Sequence, residues 1–215
     1  MSDRRSLKEI LADCTTRFVP DVAPAGEPAR PAPKQEAPSA APENRTIPPS
    51  FRWATLDAGE LRTRVSRGRA IVDAAAALTS TGLLLVGPSG SGKTSLACAL
   101  LRAWDARYPR RRGVFMPAWK LGVARAQHGL GQGEPPEVER ALTTRLLVLD
   151  DLGSERNTAT NAVPDVIFAR ALDGLPTWVT TWMTAEAVTQ RYGDGIARRL
   201  YEAGRLTVIA CGSAG

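Results

Sequence analysis

Cysteine is scarce in this 215-residue chain: Cys14, Cys98 and Cys211 stand far apart, odd in number and without C-x-x-C spacing. That excludes a disulfide framework or a zinc ribbon as the organising element. Cys98 falls in an expected helix, where a small buried residue is the natural role. Histidine is rarer still, since His128 is the only one and sits among glycines as a loop residue rather than a catalyst. No apolar run approaches the roughly 20 residues that a bilayer-spanning helix needs, and the first residues lack a signal-peptide core. The expectation is a soluble, cytoplasmic protein with no membrane partner. Lysine is nearly missing from residues 51–215, where only Lys93 and Lys120 occur and arginine carries the positive charge.

The formal net charge of +6 is unevenly placed. Residues 1–50 hold seven basic and seven acidic side chains, so the excess lies entirely in the rest of the chain. A pI of 9.7 gives a tendency to bind polyanions and names no partner by itself. Residues 1–19 form a short N-terminal segment in which residues 3–14 fit an amphipathic helix, with Leu7, Ile10 and Leu11 on one side. Alone it would be marginal in water, so it reads either as a docking element or as a leader without a role. Nine of the sixteen prolines fall between Pro20 and Pro49. That composition cannot bury a core, and residues 20–46 are expected to be a disordered Pro/Ala-rich linker. The remaining 47–215 is long enough for one sizeable α/β domain.

The most informative segment is Gly87-Pro88-Ser89-Gly90-Ser91-Gly92-Lys93-Thr94, followed by Ser95. It fits G-x-x-x-x-G-K-[ST] at every fixed position, after the apolar run Leu83-Leu84-Leu85-Val86 and before a helical stretch at 93–107. Glycines let the backbone curl so that successive N–H groups point at phosphate oxygens. Lys93 would supply charge to the β- and γ-phosphates, and the Thr94 hydroxyl would ligate Mg²⁺. Motif and context together predict binding of a nucleoside triphosphate.

Further strands are expected at 83–86, 114–117, 145–150, 177–181 and 206–210. Helices are expected at 57–78 (broken near Gly68), 93–107, 118–127, 137–143, 163–172 and 185–192. Apolar strands alternating with helices imply a parallel sheet covered on both faces. The strand Leu146-Leu147-Val148-Leu149 ends in Asp150-Asp151, which would face the ligand crevice at the C-terminal edge of such a sheet. Asp150 is placed to hold Mg²⁺ and Asp151 to orient and deprotonate the attacking water, with Glu155 the next carboxylate that could serve. If the strand at 114–117 lies at the sheet edge, the strand at 177–181 separates the two motif-bearing strands. That is the additional-strand order, here with five parallel strands.

The run from Ile47-Pro48-Pro49-Ser50-Phe51 through the glycine loop, Leu149-Asp150-Asp151-Leu152-Gly153 and Arg191-Tyr192-Gly193-Asp194-Gly195-Ile196-Ala197-Arg198-Arg199-Leu200 resembles the DnaC/IstB-type AAA+ ATPases. These are bacterial helicase loaders and the ATP-binding helpers of some transposons. The resemblance covers about residues 47–210, and the Tyr-Gly…Arg-Arg-Leu stretch is its most discriminating part. It implies a homo-oligomeric ring or spiral with ATP at the subunit interfaces, and places adenine near residues 47–51. Arg199 matches the arginine finger that reaches a neighbour's site, so Lys93, Asp151 and Arg199 are the candidate catalytic residues. Two departures stand out. Trp182 occupies the place where many relatives carry an asparagine that positions the lytic water, with Thr181 beside it as a substitute. The sequence also ends five residues after its last expected strand, so the helical lid of AAA+ proteins is expected to be absent.

The resemblance further implies DNA, in particular single-stranded DNA, along the inside of the assembly. Arg110–Arg112, Lys120 and Arg125 are candidate backbone contacts, with Phe115 or Trp119 for base stacking. The expected function is an ATP-hydrolysing replication accessory protein that loads a replicative helicase. The alternatives are a transposition helper acting with a transposase, a nucleotide-gated adaptor with little hydrolysis, and a small-molecule P-loop kinase.

Overall fold

The computed structural model describes residues 44–65, 68–80, 82–129, 131–156, 161–202 and 206–212. The expected docking helix at 3–14 and all but the end of the Pro/Ala-rich stretch lie outside these residues. At the near end of that stretch, Asn44 is 7 % exposed and already built into the domain. Its amide donates to Asp105 Oδ2 at 2.6 Å and to the Gly113 carbonyl at 3.0 Å. Asp105 Oδ1 in turn accepts from the Gly113 amide at 2.9 Å, and Thr46 Oγ1 accepts from the Phe115 amide at 2.9 Å. The chain is therefore clasped to the domain three residues ahead of the expected start at Ile47.

Five strands make one parallel sheet: β1 (Gly82–Val86), β2 (Val114–Pro117), β3 (Leu147–Leu152), β4 (Thr177–Thr181) and β5 (Thr207–Ala210). Their spatial order is β2-β3-β4-β1-β5. The central place of β4, between the strand that feeds the glycine loop and the strand that ends in the acidic pair, is the one expected from the spacing. Helices α1 (Gly59–Arg64), α2 (Gly68–Ala76) and α3 (Lys93–Arg107) pack on one face. Helices α4 (Ala118–Gln127), α5 (Pro136–Thr143), α6 (Ala162–Leu172), α7 (Ala185–Tyr192) and α8 (Asp194–Tyr201) cover the other. The stretch expected as one helix with a break is thus two helices.

Period-two alternation divides the strands between two cores. Leu83, Leu85, Val148 and Trp178 face α1–α3, while Leu84, Leu147, Leu149 and Val179 face α4–α8. All eight are at most 1 % exposed, which is why these runs read as continuously apolar. Each such side chain contributes about 1.5–3 kcal/mol of burial. The β3 strand runs two residues beyond expectation, through the acidic pair to Leu152. Its pairing with β4 shifts register between Leu149 and Leu152, so the backbone bends where the two aspartates stand. Parallel strands aim all their C-terminal ends at one edge, and the loops gathered there make the crevice.

Candidate nucleotide site

The glycine loop rises from the C-terminal end of β1 and turns into α3 at Gly92, which has φ +84°. A side chain there would be strained, and its Cβ would meet the Arg64 carbonyl oxygen at 2.8 Å. Gly87 is held by a different constraint: a Cβ would lie 1.8 Å from the Cys211 carbonyl oxygen, because the chain leaving β5 packs against the loop. Leu96 donates to the Gly92 carbonyl at 2.9 Å. The amides ahead of it at the start of α3 have no partner within the helix and are available to an anion. Pro88, Ser89 and Gly90 are exposed on the crest, whereas Ser91 and Ser95 are buried beneath it.

Lys93 is 7 % exposed and folds back under the loop, its ammonium donating to the Gly87 and Pro88 carbonyls, each at 2.8 Å. Burial pushes its pKa below the ordinary lysine range, while Cys211, Asp151 and Asp150 pull it the other way. Across the crevice, the Thr94 hydroxyl donates to Asp150 at 3.0 and 3.3 Å to its two oxygens. Asp150 is 8 % exposed and also accepts from Thr180 Oγ1 at 2.7 Å. Burial raises its carboxyl above the usual aspartate range, the Thr180 and Thr94 hydroxyls lower it, Asp151 raises it and Lys93 lowers it. A neutral hydroxyl beside a carboxylate is a hard oxygen pair that suits Mg²⁺. Lys93 has spent two of its three N–H bonds, which leaves one for an anion. The donor set therefore fits a magnesium-bound polyphosphate.

Asp151 stands beside Asp150 but is exposed, with φ +58°. The left-handed conformation costs a non-glycine residue about 1–2 kcal/mol and is tolerated best by Asn and Asp. Its amide donates to Thr180 Oγ1 at 2.9 Å. One buried hydroxyl on β4 therefore fixes both aspartates, accepting from the backbone of one and donating to the carboxylate of the other. Sequence reasoning missed Thr180. The only signal for it was a hydroxyl residue within an otherwise buried strand.

Two features of the expected site, the roles of Thr181 and Glu155, are corrected by the geometry. Thr181 does not replace an asparagine, because its hydroxyl donates to the Leu152 carbonyl at 2.8 Å and accepts from the Met183 amide at 3.1 Å. Trp182 is 54 % exposed, which leaves an interface place open to it rather than one in the core. Glu155 is buried at 4 % exposure, accepting from the Tyr192 hydroxyl and from the Gly153 amide at 3.2 Å, so it is not a free base. Arg199 is placed away from the loop, with Nη1 donating to the Gly195 carbonyl at 2.7 Å and its guanidinium 4.1 Å from the centre of the Phe168 ring.

The basic and aromatic residues separate as well. Phe115 is 4 % exposed in the core and cannot stack on a base, whereas Trp119 is 49 % exposed. Arg125 is held by Glu134 at 2.7 Å and Asp165 at 2.5 Å, and Lys120 lies 3.7 Å from Glu137. Arg110–Arg112 precede β2 while Trp119 and Lys120 follow it. The two groups therefore sit at opposite edges of the sheet, and only the second is at the crevice edge. Among the described residues no helix is long and apolar enough to cross a membrane.

No family model and no curated protein matches the chain. Solved structures do match. A crystal structure of the DnaC helicase loader superposes at TM-score 0.62 with 28 % identity, over 75 % of this chain and 99 % of that one. The fold of this chain is the DnaC-type AAA+ fold. DnaI superposes at TM-score 0.60 with 20 % identity, over 78 % of this chain and 92 % of its own. The replication initiator DnaA bound to AMPPCP and single-stranded DNA superposes at 0.55 with 21 % identity, over 76 % of this chain and 50 % of DnaA. These last two likenesses are of fold. Within the DnaC-type fold the strand order, the glycine loop and the acidic pair of this chain occupy one crevice edge.

Proposed function

We propose that the chain binds Mg·ATP in this crevice and hydrolyses it within a homo-oligomer that grips single-stranded DNA and serves the loading of a replicative helicase. The observation that carries the reading is the meeting of two motifs 56 residues apart, the Thr94 hydroxyl on the Asp150 carboxylate above a buried Lys93. The amides of the loop and Lys93 bind the phosphate chain, and Gly87–Ser95 supply the cradle. Thr94 and Asp150 would hold Mg²⁺, which neutralises charge on the phosphates. Asp151, exposed and steered by Thr180, accepts the proton of the attacking water. Arg199 presents fixed charge to the transferred phosphoryl group of a neighbouring subunit, a role worth about 10³–10⁵ in rate where it occurs. Trp119 and Lys120, at the crevice edge, are the DNA contacts this reading favours.

The domain limits follow the same reading: a docking segment at 1–19, a linker beyond it, and an ATPase domain that begins at the Asn44 clasp. A second reading is favoured by a specific observation. Trp182 is exposed and carries no amide, and the Thr181 hydroxyl is spent on the chain, so neither supplies the group that many relatives use to position the lytic water. That supports a nucleotide-gated adaptor whose turnover is slow.

Mixing of variants tests the first reading. Arg199→Ala subunits have an intact Asp151 and Asp151→Asn subunits have an intact Arg199. Each alone is inactive, and an equimolar mixture regains ATP turnover at hybrid interfaces, measured as phosphate release with and without single-stranded DNA. Co-assembly of the two variants without recovery removes the finger, and tight ATP binding without turnover in the parent protein leaves the adaptor.

A further inference from the structure

Helix α8, which carries Arg199, is tied at both ends to the turn that follows the acidic pair. At its start, Tyr192 stands one residue before the Gly193 junction and donates its hydroxyl to Glu155 Oε1. The same carboxylate closes the acidic turn by accepting from the Gly153 amide at 3.2 Å. Arg191 adds a second link, donating to the Glu155 carbonyl with its Nε 3.8 Å from Oε1. At the end of α8, the Tyr201 hydroxyl donates to the Met183 carbonyl at 2.5 Å. Met183 is 3 % exposed and packs on the same turn, its sulfur 2.6 Å from where a Cβ on Gly153 would lie. Burial holds both phenols above the ordinary tyrosine range, with the Glu155 carboxylate adding to the effect at Tyr192 and the Glu186 carboxylate at Tyr201. They therefore remain donors at any working pH.

We infer that Tyr192 and Tyr201 are positioning residues that make α8 a rigid extension of the acidic turn, so that nucleotide at Asp150 and Asp151 is felt as a displacement of Arg199. The turn itself is anchored to the site: Ser154 donates to the Asp151 carbonyl at 3.0 Å, and Asp151 hangs on Thr180. The bonds thus run without a gap from the acidic pair through Ser154 to Glu155 and on to Tyr192. Arg199 lies between the two attachment points, its guanidinium 4.1 Å from the centre of the exposed Phe168 ring. Occupancy of the crevice is thereby linked to the readiness of the surface offered to a neighbour, and linkage of this kind acts equally in both directions.

This inference rests on the reading of the crevice as an ATP site and of Arg199 as a residue used between subunits. The test uses the full chain with Tyr192→Phe, Tyr201→Phe and both together, each of which removes one hydroxyl and keeps the ring. Two quantities are measured: Mg·ATP affinity at a protein concentration where the chain is monomeric, and the factor by which Mg·ATP strengthens self-association in sedimentation. The double variant should keep its monomeric affinity within about threefold and lose about tenfold of the ATP-driven factor, within the usual 5- to 150-fold span of such couplings. Each single variant should lose part of it. Should the double variant not give a cooperative unfolding transition, the single variants carry the test. An undiminished ATP-driven factor overturns the inference, as does a fall in monomeric affinity that accounts for the whole loss. A parent protein that binds Mg·ATP without any ATP-driven association overturns the oligomer reading instead, and that failure is read from the parent alone.

Discussion

Among the described residues two cations are buried, and they sit at opposite edges of the sheet. Arg170 on α6 is fully buried at the N-terminal edge. Its guanidinium donates to the carbonyls of Ala141 (2.8 Å), Leu142 (3.2 Å), Thr144 (2.8 Å) and Pro176 (2.7 Å), and to Thr177 Oγ1 (2.9 Å). Burial holds its pKa down to about 10, and every acceptor is a neutral oxygen. Lys93, at the C-terminal edge, has two carbonyl partners, one N–H to spare and two carboxylates within electrostatic reach. The difference separates structure from binding. A charge whose every nitrogen bonds the chain pins segments together, while one left partly unpaired beneath a glycine loop is poised for an anion.

The contrast breaks most visibly at Arg170. Arg170→Ala strands the Ala141, Leu142 and Thr144 carbonyls, while Pro176 keeps the Leu147 amide, at about 1–3 kcal/mol for each buried group left unpaired. A loss of several kcal/mol in urea unfolding is expected, with Mg·ATP affinity of the remaining folded fraction unchanged. An affinity loss in well-folded Arg170→Ala protein would erase the division of labour. Lys93→Ala should do the reverse. Mg·ATP affinity by calorimetry falls about 100-fold, roughly 2.7 kcal/mol, while the nucleotide-free melting temperature moves by less than about 3 °C. Unchanged affinity would remove the loop from the account.

The smallest effect concerns pH. Because burial raises the Asp150 carboxyl, the folded chain holds that proton more tightly than the unfolded one does. Its contribution to stability is complete below the ordinary aspartate value of 3.8 and is lost as pH rises through the raised folded value. Mg²⁺ favours the carboxylate and should offset that loss, so the metal raises the melting temperature more at neutral pH than near pH 4. Equal increments at the two pH values, or increments that survive Asp150→Asn, would place the metal elsewhere.

Much of this edge was legible in the sequence because its parts are local. The glycine loop is contiguous, the acidic pair closes an apolar run, and β4 was the candidate for the place between them if β2 lay at the edge. What escaped depends on register and on distant partners. Thr180 reads as one of several threonines until β3 and β4 are aligned and bent between Leu149 and Leu152. Arg170 looks like an ordinary basic residue of a last helical turn, and nothing local announces carbonyls drawn from α5 and from the approach to β4. Arg125 looked available for phosphate until Asp165, forty residues on, took one side of its guanidinium. Phe115 looked available for stacking, but the face it occupies on an edge strand is decided by what packs above it.

The Asn44 clasp has a mechanical corollary. The amide of Asn44 and the hydroxyl of Thr46 fasten the incoming chain to Asp105, Gly113 and the first residues of β2. Tension drawn through the leading segment is delivered to β2, whose Pro117 is the register partner of Asp150. A pull on the chain ahead of Asn44 would therefore act one strand away from Asp150 and three strands away from the glycine loop.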